Sequence, residues 1–212
     1  MRLQYAMDRG TVEEALAMLR RLEGVIDIFE VGTPMLLRFG LGAVKAVKRA
    51  YPALTVLADA KIMDGGEFEA DHCYQSGADI VTVMGLANRS TIKGALKSAR
   101  HAGGRLLADM MNVRELETES AELVRLGVDY LCVHNASDVL DMERAVSEAE
   151  RVALAVAPGR LVIAGGVNPE TIGGLARFSP EVLVVGNAIS HAADPRAMAV
   201  ALREIYEGSI VT

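Results

Sequence analysis

Short apolar runs recur along the chain at nearly even intervals, at residues 3–7, 26–31, 55–60, 80–84, 106–110, 130–134, 161–164 and 182–185. They are too short for helices and rich in Val, Ile and Leu, which marks them as strands. Between them, apolar residues return at helical spacing, as in 12–22, 41–50 and 197–206. Strands alternating with helices throughout predict an α/β fold, either a closed (β/α)8 TIM barrel or an open doubly wound sheet. The even recurrence favours the barrel, and no G-x-G-x-x-G follows the first strand, where a dinucleotide fold usually carries it. Most runs are apolar at consecutive positions instead of alternating, as expected for parallel strands buried on both faces. No linker or low-complexity stretch interrupts the pattern, so a single domain over residues 1–212 is expected.

A weak repeat supports this reading. Ser76-Gly77-Ala78-Asp79 and Leu126-Gly127-Val128-Asp129 each end a helix on Gly and open the next strand with Asp. Such αβ turns belong at the bottom of a barrel and serve stability.

Composition narrows the possibilities. The 212 residues are 51% hydrophobic but only 4% aromatic, so the core must be built from aliphatic side chains. A net charge of −6 argues against nucleic acid or an anionic membrane as partner, yet leaves room for a phosphorylated small molecule. Cys73 and Cys132 lie far apart and form no C-x-x-C pair; both are expected to be buried thiols in a reducing compartment. With neither an export signal nor a membrane-length apolar run, a cytoplasmic protein is the expectation.

In a barrel, chemistry sits where the strands end. The polar residues at those ends are Asp8, Glu30, Asp59 with Lys61, Asp109, His134, Gly165-Gly166 and Gly186-Asn187. Strand alternation sends Asp59 and Lys61 to the same side, with Asp64 just beyond. Carboxylates on either side would keep Lys61 charged, suited to stabilising an enediolate oxygen and not to Schiff-base attack; the alternative is a structural ion pair. Glu30 and Asp59 suit Mg2+, which takes one or two carboxylates plus substrate oxygens, although Glu30 balancing Lys61 without a metal fits equally well. His134 next to Asp109 fits a general base. His72, His101 and His191 fall in helices or at helix ends and are expected on the surface. Gly165, Gly166, Gly186 and Asn187 lie in the loops after the seventh and eighth strands, a common phosphate site in barrels.

The pattern Asp59-x-Lys61-x-x-Asp64, preceded by Asp8 and Glu30, resembles the orotidine 5′-monophosphate decarboxylase suprafamily. Within it, the phrase from Leu57 to Gly66, Thr91-Ile92-Lys93-Gly94-Ala95 and Val133-His134 are similar to the 3-hexulose-6-phosphate synthases. That resemblance implies a magnesium-dependent aldol addition of ribulose 5-phosphate to formaldehyde, giving arabino-3-hexulose 6-phosphate through a 1,2-enediolate. By position, Glu30 and Asp59 would hold Mg2+, Lys61 would stabilise the enediolate, and His134, near Asp109, would transfer protons. Asp8 would orient substrate hydroxyls or the Lys61 network. The resemblance also implies a homodimer in which Asp64 reaches the partner's site. The nearest alternative is 3-keto-L-gulonate-6-phosphate decarboxylase, a family carrying Glu, Arg, Thr and Arg where this chain has Asp109, Ser137, Ala164 and Asn187. From both families the chain departs after His134, where 135–141 lacks a Gln-Ala-x-Gly phrase. A barrel that binds a sugar phosphate without turnover is the alternative from another class.

Overall fold

The computed structural model describes residues 1–210; Val211 and Thr212, the last two residues of the expected 1–212 domain, lie outside them. Eight parallel strands close in chain order into a barrel: β1 (Arg2–Met7), β2 (Ile28–Val31), β3 (Thr55–Ile62), β4 (Ile80–Met84), β5 (Arg105–Asp109), β6 (Tyr130–His134), β7 (Leu161–Ala164) and β8 (Val182–Val185). Each run read as a strand is one. The barrel is flanked by α1 (Val12–Leu22), α2 (Thr33–Phe39), α3 (Gly42–Ala50), α4 (Gly66–Gln75), α5 (Arg89–Ala102), α6 (Leu116–Leu126), α7 (Met142–Ala155), α8 (Ile172–Leu175), α9 (Asn187–Ser190) and α10 (Pro195–Ile210). A simple alternation with eight helices is thus exceeded. After β2 the chain makes two helices, α2 opening on Gly32 with Pro34 in its first turn, and a short α9 is inserted between β8 and α10.

Burial on both faces of the sheet explains the unbroken apolar runs. Ile28, Leu57, Ile80, Leu107, Tyr130, Val162 and Val182 fill the barrel interior. Phe29, Val56, Val81, Leu106, Leu131, Ile163 and Leu183, one position along, pack outward against the helices. Strand alternation alone therefore sorts each run into two cores. Cys73 and Cys132 are buried and unpaired, and the other three histidines are exposed. Among the described residues, no helix is long and apolar enough to cross a membrane.

The repeated turns prove to be carboxylate staples. Asp79 accepts the Val56 N–H at 2.8 Å and pairs with Lys48 at 2.7 Å. Asp129 accepts the Leu106 N–H at 2.9 Å and pairs with Arg100 at 3.0 Å. In both, a left-handed glycine, Gly77 or Gly127, lets the preceding helix close its last carbonyls before the chain turns. Asp27 forms a third staple, accepting the Leu3 N–H at 2.7 Å and pairing with Arg203. A hydrogen bond to a charged acceptor contributes about 1.5–3 kcal/mol, so these turns lock the order of neighbouring strands from below.

Candidate active site at the C-terminal mouth

Strand β3 does not run regularly to its end. Ala58 pairs with Val81 but Ile62 pairs with Val83, so four steps on β3 face two on β4. The bulge falls on Asp59-Ala60-Lys61, and Lys61 adopts a left-handed φ of 46°. For a non-glycine residue this costs about 1–3 kcal/mol, a strain that concentrates at functional positions. The Thr82 hydroxyl on β4 holds the bulge by accepting the Lys61 backbone N–H at 2.8 Å and donating to Asp59 Oδ1 at 2.8 Å. Thr33, at the start of α2, adds a hydroxyl 2.7 Å from Asp59 Oδ2. Asp59 and Lys61 do meet, but through a bulge and not through the simple alternation expected from sequence.

The Lys61 ammonium lies 3.0 Å from Asp59 and 2.9 Å from Asp109. Asp109 also receives His134 Nδ1 at 2.7 Å on the same oxygen and the Met111 N–H at 3.0 Å on the other. Burial pushes the Asp109 carboxyl upward, but the hydrogen bond and charge of His134 and the Lys61 ammonium outweigh it, leaving its pKa at about 2. Burial likewise works against the Lys61 ammonium, yet the flanking carboxylates hold its pKa well above the ordinary lysine value. Lys61 is therefore a permanent cation, unsuited to Schiff-base nucleophilicity. The carboxylate of Asp109 accepts, so His134 Nδ1 donates, and in the neutral ring Nε2 is the nitrogen left to take a proton. Asp59 and Asp109 are buried, while Lys61 and His134 are about one-quarter exposed, which lets them reach a molecule in the mouth.

Glu30, on the inner face of β2, has Gln4 Nε2 at 2.5 Å as its hydrogen-bond donor and no ion-pair partner among the described residues. Burial, then the Asp59 charge, pushes its pKa up to about 8. Asp8 stands at the exposed rim, above the ordinary carboxylate range through desolvation and the Asp59 charge. Four carboxyls thus crowd around one ammonium. An all-oxygen set with surplus negative charge fits a hard divalent cation such as Mg2+. Among the described residues, no group of three or more acidic, His or Cys side chains is preformed for a metal. Glu30 and Asp59 would be the protein's share of a two-carboxylate set of that kind.

The remaining sequence candidates line the rim. Gly165 and Gly166 have φ of 86° and 79°, and a Cβ on Gly165 would stand 1.9 Å from the Asn135 carbonyl. Only glycine lets this loop pass so close to the chain after β6. Gly186 and the exposed Asn187 open α9. Asp64 is exposed, and among the described residues it makes no ion pair or hydrogen bond. The second carboxylate beside Lys61 is Asp109 instead, because the chain turns away at Gly65, whose φ is 60°. Sequence reasoning missed Gln4, Thr33 and Thr82. Thr82 and Gln4 do carry a signal, as polar side chains inside apolar strands.

The family model described as "Orotidine 5'-phosphate decarboxylase / HUMPS family" matches residues 1–202. The chain belongs to this family. It is 37% identical over 206 residues to 3-hexulose-6-phosphate synthase of Bacillus subtilis (strain 168), covering 97% of this chain and 98% of the relative. It is 36% identical to 3-hexulose-6-phosphate synthase 3 of Staphylococcus saprophyticus, covering 98% and 100%. The crystal structure of 3-hexulose-6-phosphate synthase from Salmonella typhimurium superposes with a TM-score of 0.93 at 38% identity, covering 99% of this chain and 100% of that one. A 3-keto-L-gulonate-6-phosphate decarboxylase from Vibrio cholerae gives a TM-score of 0.86 at 24% identity over 98% and 97%, a likeness of fold alone. The chain is accordingly an enzyme similar in kind to these synthases.

Proposed function

We propose that the protein adds ribulose 5-phosphate to formaldehyde, forming arabino-3-hexulose 6-phosphate. The observation carrying this reading is the Lys61 ammonium fixed 3.0 Å from Asp59 and 2.9 Å from Asp109, with His134 on that same Asp109 oxygen. A permanent cation beside a base is what proton abstraction next to a carbonyl requires. His134 Nε2 takes the C1 proton of ribulose 5-phosphate, and the electron pair left behind makes a 1,2-enediolate. Lys61 faces the negative oxygen. C1 then forms the new carbon–carbon bond to formaldehyde, whose oxygen takes the proton back from His134. Asp109 keeps the imidazole oriented and stabilises it while protonated. Glu30 and Asp59 would hold Mg2+, which supplies positive charge against the developing charge on the sugar oxygens. The Gly165-Gly166 turn and the first N–H groups of α9, from Gly186 and Asn187 onward, receive the phosphate, and Asp8 meets substrate hydroxyls.

A homodimer belongs to the same proposal. Leu37, Met63 and Phe68 are 85%, 52% and 72% exposed on the elements that follow β2 and β3, beside the unpaired Asp64. Exposed apolar side chains on the segments flanking an unused carboxylate suit a second copy whose site Asp64 completes.

The test is formaldehyde consumption by the purified protein with ribulose 5-phosphate and Mg2+, with and without EDTA. Metal-dependent consumption is expected. No consumption, with CO2 released from 3-keto-L-gulonate 6-phosphate, would transfer the same site to decarboxylation.

A further inference from the structure

The opposite, N-terminal mouth of the barrel carries arginines at its strand starts. Arg2 opens β1, Thr55 opens β3, Arg105 opens β5, and Arg160 immediately precedes β7. Two residues further along each strand lie Gln4, Leu57, Leu107 and Val162, on the inner face, so alternation turns the opening residues inward as well. Lys48, Arg100 and Arg203 nearby are committed to the Asp79, Asp129 and Asp27 staples. The inward arginines are not. Among the described residues, neither Arg2 nor Arg105 has a carboxylate within ion-pair distance. Arg2 donates to the Thr55 hydroxyl at 3.0 Å, and Arg105 donates to the Tyr130 hydroxyl with its guanidinium 5.7 Å from that ring. Each guanidinium has five N–H donors, so most remain unused. Arg160 is spent on the Val128 carbonyl at 2.7 Å.

Arg2, Thr55 and Arg105 line one cavity of about 410 Å³ together with Asp79 and Gly103, floored by Ile80 and walled by Glu181; the Asp79 charge is met by Lys48 at 2.7 Å. That volume suits a small metabolite. Glu181 occupies the fourth staple position: its N–H bonds the Leu161 carbonyl at 2.9 Å, as Asp79 and Asp129 do with Val56 and Leu106. One methylene longer, its carboxylate makes no staple, and among the described residues it has no ion-pair partner. The fourth quarter of the barrel thus leaves a free acceptor beside two guanidinium groups with unused N–H donors. Stability alone would favour repeating the staple.

We propose that this cavity is a second binding site, for a small phosphorylated polyol. Arg2 and Arg105 take the phosphate, whose geometry matches the guanidinium fork. Thr55 and Glu181 take the hydroxyls. The site lies at the other end of the barrel from Lys61 and His134, and it stands whether or not the aldol reading does.

The Ile80 methyl group, on the cavity floor, is the reporter. Inorganic pyrophosphate titrated into the methyl-labelled protein is expected to shift the Ile80 resonance saturably, whereas erythritol, with hydroxyls but no charge, is not. A hydrogen bond to a charged group is worth about tenfold or more in binding, so Arg105→Gln should move the midpoint by at least that factor. Arg105 is exposed, and an otherwise unchanged methyl spectrum shows the variant folded. Arg2→Gln should act in the same direction. An Ile80 resonance that pyrophosphate does not move, or a midpoint indifferent to both substitutions, would overturn the proposal.

Discussion

At the N-terminal mouth, Asp27, Asp79 and Asp129 each hold one backbone N–H and one basic side chain. At the C-terminal mouth, Asp59 and Asp109 share a single ammonium, and Glu30 has only an amide donor. Those three aspartates are matched one to one below, with Glu181 alone left unpaired beside them among the described residues, whereas the carboxyls above are crowded. Matched pairs at strand starts lower the energy of the fold and do little else. The crowded group keeps a carboxyl at a raised pKa, a lysine in a left-handed conformation and an imidazole tied to a carboxylate. The raised carboxyl and the left-handed lysine are costs to stability that a catalytic site uses and a structural one avoids.

Substitutions at the two ends should therefore separate activity from stability. The largest effect is expected from Lys61→Ala. Removing a charge aimed at a developing oxyanion costs about 10²–10³-fold or more in turnover, while binding of the substrate phosphate stays within a few-fold. Near-normal turnover in steady-state assays would abolish the contrast between the mouths. His134→Asn should cost about 10²–10⁴-fold, the usual worth of a general base, with KM little changed. Glu30→Gln should weaken Mg2+ binding about tenfold or more, measured by titration calorimetry, without changing the far-UV circular dichroism.

Below the barrel the effects should be smaller and of another kind. Asp129→Asn keeps the shape but loses the charge-assisted staple, costing about 1–3 kcal/mol of stability with turnover intact. Thermal unfolding reads this as a fall of about 2–4 °C per kcal/mol.

Acid sharpens the comparison at Asp109. Its folded pKa of about 2 lies below the ordinary 3.8, so the stabilisation is complete above roughly pH 4 and is lost as the pH falls through about 2. A shift of that size is worth about 2 kcal/mol at neutral pH. Asp109→Asn should flatten the acid limb of stability between those values, and an unchanged limb would assign it to other carboxylates.

Much of this architecture is visible in the sequence because parallel strands buried on both faces leave unbroken apolar runs. Any charge at a run's end then stands out, as Asp59, Lys61, Asp109 and His134 do. The Asp79 and Asp129 staples are legible because both follow Gly by two residues. Asp27 was hidden, since Val25 and Ile26 separate it from Gly24. The β3 bulge was also hidden. Nothing in Asp59-Ala60-Lys61 calls for a left-handed lysine; tertiary contacts impose it, through a Thr82 hydroxyl 21 residues away. Helix α2 escaped because its four apolar residues in seven positions form no stripe long enough to show a period.

The central claim is that the C-terminal mouth draws the C1 proton from ribulose 5-phosphate before any bond to formaldehyde forms. Deuterium incorporation at C1 in D2O, with Mg2+ and without formaldehyde, followed by proton NMR, tests it directly. The wild-type protein should exchange one C1 hydrogen, and His134→Asn should not. No exchange in the wild type, or equal exchange in the variant, would contradict the account.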